Sequence, residues 1–153
     1  MGQEGGRLMF RPPTGSLRIG VDLVTVDEVV DSLRAYGDRY LARVYTEREV
    51  AHCRRPTGEP DAARLAGRFA TKEAATKALR LTEGSYRNIE VTSDADGAPS
   101  LLFHGTAAHA AMEAGVRDCA VSITHDRGLA MATVVLVGST GPDEPDRRVQ
   151  EGR

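Results

Sequence analysis

GRFATKEAATKAL, residues 67–79, is the stretch on which the reading of this chain turns. It sets three cations, Arg68, Lys72 and Lys77, and one carboxylate, Glu73, along what reads as a helix. Glu73 and Lys77 stand four apart and share one face, while Arg68 and Lys72 form a second such pair about a quarter-turn away. Alone, a Glu–Lys pair at this spacing is a routine solvated contact worth a few tenths of a kcal/mol. The alanines and Gly67 favour close packing against a sheet or another helix. The longest predicted helix, residues 61–79, therefore also carries the first candidate site.

Upstream, IGVDLV (19–24) places Asp22 inside an apolar strand, two residues after Gly20. A carboxylate on a half-buried strand needs a cation, a cap or a metal to offset its desolvation. Two readings of Asp22 stand at this point: a ligand-binding carboxylate, or a cap for the helix that follows. Gly20 marks either a bulge or a close backbone approach. Downstream, SITHDRG (122–128) ends a predicted strand with His125 and Asp126. Ser122, Thr124 and His125 offer hydrogen bonds to an anion, although a lone histidine is more often structural and Asp126 can simply make the turn.

The remaining pattern is mixed. VDEVVDSLRAYG (26–37) has helical period, with Val26, Val29, Val30 and Leu33 on one face and Gly37 as a stop. Thr46 and Glu49 stand at capping-box spacing, and Pro60 sits where a first helical turn accepts it. NIEVTSD and PSLLFHG flank the turn DADGAP as a hairpin. Thr106 is a candidate cap for the helix in AAHAAMEAG, which Gly115 ends. CAVSITH and LAMATVVLV form a second hairpin, apolar enough to be central. The fold class is α+β, a largely antiparallel sheet packed against one long helix and shorter helices. One domain is expected over residues 17–137, between flexible tails at 1–16 and 138–153.

Composition agrees with one globular domain: 153 residues, 41% hydrophobic and 27% charged. A net charge of -2 gives no electrostatic reason to expect nucleic acid. Cys53 and Cys119 lie far apart in no metal-ligating spacing and give no support for a disulfide. Cys119, within the apolar run CAVSI, is expected to be buried. With no apolar h-region at the N-terminus and no membrane-length apolar stretch, the expected compartment is the cytoplasm.

One strand carboxylate and one helix carboxylate suit Mg²⁺, which often uses one or two protein carboxylates and completes its shell with water and substrate phosphate. Lysine, arginine and histidine nearby would offset phosphate charge, as phosphoryl transfer requires. No glycine-rich phosphate loop is present.

These segments, in this order and spacing, resemble the holo-[acyl-carrier-protein] synthase family of 4′-phosphopantetheinyl transferases. IGVDLV resembles its G-x-D strand, FATKEAATKA (69–78) its F-x-x-K-E-A-x-x-K helix, and VSITHDRGLAMATVV (121–135) its S-x-[ST]-H strand-turn-strand. ARVYTEREV (42–50) is similar to the segment between the first two. The resemblance implies the fold of that family and transfer of phosphopantetheine from coenzyme A to a serine of an apo acyl carrier protein, releasing adenosine 3′,5′-bisphosphate. It implies that Asp22 and Glu73 hold Mg²⁺, that Glu73 helps remove the serine proton, and that Lys77 offsets charge on the transferring phosphate. It further implies coenzyme A contacts for Arg68, Lys72 and His125, a carrier-facing role for Arg39 and Arg43, and a homotrimer. The resemblance leaves open whether the carrier serves fatty acid, polyketide or peptide synthesis. A non-catalytic, carrier-binding relative is the alternative. Two positions depart from the family pattern: Glu28, where many relatives carry a basic residue, and Arg80, in place of the first glycine after the helix.

Overall fold

Side chains along a strand alternate between two faces, and in β1 (Leu17–Thr25) that alternation sets the architecture. Gly20, Asp22 and Val24 turn inward, whereas Leu17, Ile19, Val21 and Leu23 are exposed on the other side. The inward face is covered by α4 (Ala62–Leu79), whose buried Ala66, Ala70, Ala74, Ala75 and Ala78 let helix and sheet approach closely. A Cβ on Gly20 would lie 1.8 Å from the Ala74 carbonyl oxygen. Gly20 nonetheless pairs regularly with Val134, so close approach, not a bulge, is the reason for glycine there.

The structure is a computed structural model and describes residues 16–82 and 84–139. Between β1 and α4 come α1 (Val26–Tyr36), α2 (Asp38–Val44) and α3 (Glu47–His52). After α4 a 3-10 turn (Tyr86–Asn88) leads into β2 (Ile89–Ser93), β3 (Pro99–Phe103), α5 (Gly105–Glu113), β4 (Val116–Asp126) and β5 (Leu129–Gly138). The antiparallel sheet runs in the order β1-β5-β4, and β2 and β3 form a separate hairpin. This is the α+β architecture expected, with one adjustment: of the second hairpin only β5 is central, and β4 is an edge strand. Its two-residue turn uses Arg127 and Gly128 at positive φ (47° and 76°), the primed geometry that suits strand twist.

Local capping explains several boundaries. Thr25 and Glu28 form a capping box at the start of α1, and Thr46 and Glu49 form the expected one on α3. Asp61 caps α4 by accepting from the Ala63 and Arg64 amides. Pro60 therefore precedes the helix and bridges back to Arg54 instead of entering the first turn. At α5 the N-cap is His104, and Thr106 lies inside the helix, where Asn88 donates to its hydroxyl. Cys119 is exposed on β4, contrary to expectation, and Cys53 is the buried thiol. The expected tails lie outside the described residues except for Ser16, Gly138 and Ser139, and Gly138 closes β5 by donating to the Ser16 carbonyl.

Candidate active site

The close approach of β1 and α4 brings the first two sequence motifs together. Lys77 Nζ donates to Asp22 Oδ1 at 2.7 Å and to the Val21 carbonyl at 3.1 Å. Asp22 is on the helix-facing side of β1 with its side chain 16% exposed, while that of Lys77 is 53% exposed. Asp22 is not the helix cap, since Thr25 has that task. Glu73, one turn before Lys77 on the same face of α4, is half-buried and has no ion pair or hydrogen bond among the described residues. Asp22 thus holds the ammonium, and Glu73 stands beside them without a partner among the described residues.

The third motif meets α4 from β4 at Gly67, ten residues before Lys77, beside a cavity that none of Asp22, Glu73 and Lys77 lines. A Cβ on Gly67 would meet His125 Nε2 at 3.0 Å, so the missing side chain seats the imidazole against α4. Arg68 follows directly, and its buried Nε has no hydrogen-bond partner among the described residues. A guanidinium with an orphaned buried N–H is prepared for an acceptor from outside the chain. Arg68 and His125 line a cavity of about 500 Å³ together with His52, Arg64, Thr92 and Ser93. Sequence reasoning missed His52 and Arg64, although Arg64 stands four before Arg68 on the same helix and that spacing was available. Strand alternation separates Ser122 and Thr124 from His125: they pair with Thr133 and Met131 on the opposite sheet face. Within one chain they do not join the cavity.

Lys72 does not reach it either. Its side chain is fully buried, and Nζ lies 2.8 Å from Glu49 Oε2, whose carboxylate is equally buried. The ammonium also donates to the Tyr86 and Ile89 carbonyls, and Glu49 Oε1 accepts from the Val91 amide at 2.9 Å. Burial lowers the Lys72 pKa, and the Glu49 charge opposes that fall. The expected contact of Lys72 with coenzyme A is therefore corrected: all its donors are turned inward, tying α3 and the start of β2 to α4.

Arg39 and Arg43, four apart on α2, are both exposed. They line a cavity of about 430 Å³ with Tyr36, Tyr40, Phe69 and Tyr86, and the Phe69 and Tyr86 rings are 5.4 Å apart. The apolar wall beside the arginines was not foreseen, because its aromatics come from three separated segments. The two departures from the family pattern also find places. Glu28 Oε2 accepts from the Thr25 amide as part of the capping box, and Arg80 ends α4 in the left-handed conformation at φ 56°. The backbone geometry a glycine would supply is kept there at a cost of about 1 kcal/mol.

The donor set fits a small hard dication: two carboxylates on abutting elements, one of them unpartnered among the described residues, with the remaining ligands left to water and substrate oxygens. Among the described residues no group of three or more His, Cys, Asp or Glu could hold a metal by itself. No helix among them is long and apolar enough to cross a membrane.

Two carboxylates beside a lysine, with an arginine–histidine cavity further along the same helix, are equipment suited to phosphoryl-group transfer, and residues 18–134 match the model of the 4′-phosphopantetheinyl transferase superfamily. The holo-[acyl-carrier-protein] synthase of Solibacter usitatus is 42% identical over 120 residues, covering 76% of this chain and 94% of that protein. The one from Gloeobacter violaceus is 44% identical over 124 residues, 79% of this chain and 92% of its own. The crystal structure of Helicobacter pylori holo-[acyl-carrier-protein] synthase in complex with coenzyme A superposes with a TM-score of 0.66 at 26% identity, covering 77% and 98% of the two chains. The chain belongs to the holo-[acyl-carrier-protein] synthase family.

Proposed function

We propose that this chain carries out its family's reaction, transfer of 4′-phosphopantetheine from coenzyme A to a serine of an apo acyl carrier protein, at the Asp22–Glu73–Lys77 cluster. The observation that carries the assignment is the 2.7 Å contact of Lys77 with Asp22, which joins the strand motif and the helix motif in one site. The serine oxygen attacks the phosphorus on the pantetheine side of the coenzyme A diphosphate. The bond to the bridging oxygen breaks, and adenosine 3′,5′-bisphosphate leaves. Glu73, half-buried and unpartnered among the described residues, takes the serine proton. Lys77 offsets charge on the transferring phosphate and the leaving group. Asp22 and Glu73 would hold Mg²⁺, which supplies charge neutralisation at the diphosphate when bound. Arg68, through its orphaned Nε, and His125 bind coenzyme A phosphate.

Arg39 and Arg43 face the carrier, where their charges complement an acidic helix and set encounter rate and partner choice. The exposed aliphatic rows of β1 and β5 support a homotrimer: Ile19 is 61% and Leu23 58% exposed, and Leu17, Val21, Leu129, Met131 and Val137 extend the patch. Two free thiols fit a reducing, cytoplasmic setting.

The test is incubation with coenzyme A, Mg²⁺ and several apo carrier proteins, followed by intact-mass measurement of each carrier. A gain of one phosphopantetheinyl group on at least one carrier is expected, and chelation of the dication should stop it. Absence of the adduct on every carrier would leave a non-catalytic carrier-binding relative as the better reading.

A further inference from the structure

Resting on the assignment of Asp22 and Glu73 to the dication, we infer that Lys77 is a built-in competitor of that dication, and that coenzyme A binding releases it. Without substrate, the Lys77 ammonium lies 2.7 Å from Asp22 Oδ1 and donates a second hydrogen bond to the Val21 carbonyl. Two carboxylates and one ammonium leave the site a single net negative charge, so an arriving dication meets only Glu73 uncompensated.

The two partners differ in freedom. Asp22 is largely buried on a strand whose hydrogen bonds fix it, whereas the Lys77 side chain is 53% exposed on a flexible four-carbon stem. Lys77 is therefore the group that moves. A diphosphate bound beside the cluster offers it oxygens for charge-assisted hydrogen bonds. Once the ammonium turns to those oxygens, Asp22 is free for the dication. Diphosphate and dication then favour each other's binding, beyond what bridging of phosphate by the metal supplies, and by linkage the effect is reciprocal. The site assembles its full charge complement only when substrate is present.

The test is Mn²⁺ affinity of the full chain, read from free Mn²⁺ by electron paramagnetic resonance, with and without coenzyme A. Lys77→Met, Lys77→Gln and Arg68→Met are compared with the parent. Circular dichroism checks each fold, and the glutamine variant stands in should the methionine one misfold. Without coenzyme A, both Lys77 variants should bind Mn²⁺ at least about tenfold more tightly than the parent, within the usual range of site-to-site coupling. Arg68→Met removes a charge that does not touch Asp22 and should shift the affinity by no more than about twofold, which separates direct competition from a general field effect. Adding coenzyme A should tighten Mn²⁺ binding in the parent by more than in either Lys77 variant. Equal Mn²⁺ affinity of the parent and both Lys77 variants overturns the inference and leaves the metal assignment standing. No Mn²⁺ binding by any form, even with coenzyme A, overturns both.

Discussion

Lys72 and Glu73 are neighbours in sequence with opposite fates. One is sealed in the core with all its donors spent, and the other is half-exposed with no partner among the described residues. A helix turns about 100° per residue, so adjacent charged residues can serve different purposes, and the Lys72–Glu49 pair is the structural one. Lys72→Met leaves the buried Glu49 carboxylate uncompensated and should cost about 3–5 kcal/mol. The double change Glu49→Gln with Lys72→Met should recover much of that loss. Urea midpoints of the three proteins check both statements, and a single variant as stable as the parent would contradict them.

At the scale of elements, the stability of the site comes from how α4 lies on β1. Gly20→Ala drives a methyl group into the Ala74 carbonyl. The strand must move, and a loss of about 3 kcal/mol or more is expected in denaturant unfolding. The C-cap of α3 gives a second handle. Burial pushes the Cys53 thiol up to about 11, against an ordinary value of 9.0, with the Arg68 charge opposing the rise. A group whose folded value is raised stabilises fully below its unfolded value and loses that contribution as pH climbs through the folded one. Stability should therefore fall between about pH 9 and 11, and Cys53→Ala should flatten the fall. Burial also raises Cys119 from 9.0 and Tyr40 and Tyr45 from 10.0, and each adds its own loss, so the difference between the parent and Cys53→Ala is what reads the Cys53 thiol.

These elements show what could be read from residues alone. Helix period gave α1 and α4, turn chemistry gave both hairpins, and the Thr46–Glu49 spacing gave the α3 cap. Asp22, Glu73 and Lys77 were legible because their motif spacing survives in the linear chain. α2 was not, because Gly37, at φ 52°, ends one helix and begins the next with no side-chain cap of its own. The burial of Lys72 was equally hidden, since its partner Glu49 lies 23 positions upstream. Nor does alternation along β1 reveal which face is covered, and here the bulkier aliphatic face is the open one.

That open face belongs to the scale of the whole molecule. Seven large aliphatic or thioether side chains of β1 and β5 are exposed on one side of the sheet, a patch that a soluble single copy would rarely present. Sedimentation should show the parent as a trimer. Ile19→Glu, which places a charge at the centre of the β1 row, should sediment as a folded monomer. A monomeric parent would remove the oligomer from the account.

If phosphopantetheinyl transfer runs at the Asp22–Glu73–Lys77 cluster, it depends on Glu73 as the base. The most direct measurement is the intact mass of an apo carrier after incubation with coenzyme A, Mg²⁺ and either the parent or Glu73→Gln. Glu73 is half-exposed, so the amide should fold like the parent. Complete conversion by the parent is expected, with at least about a hundredfold slower appearance of the phosphopantetheinyl mass for Glu73→Gln, the loss of a general base. Equal conversion by a folded Glu73→Gln variant would contradict it.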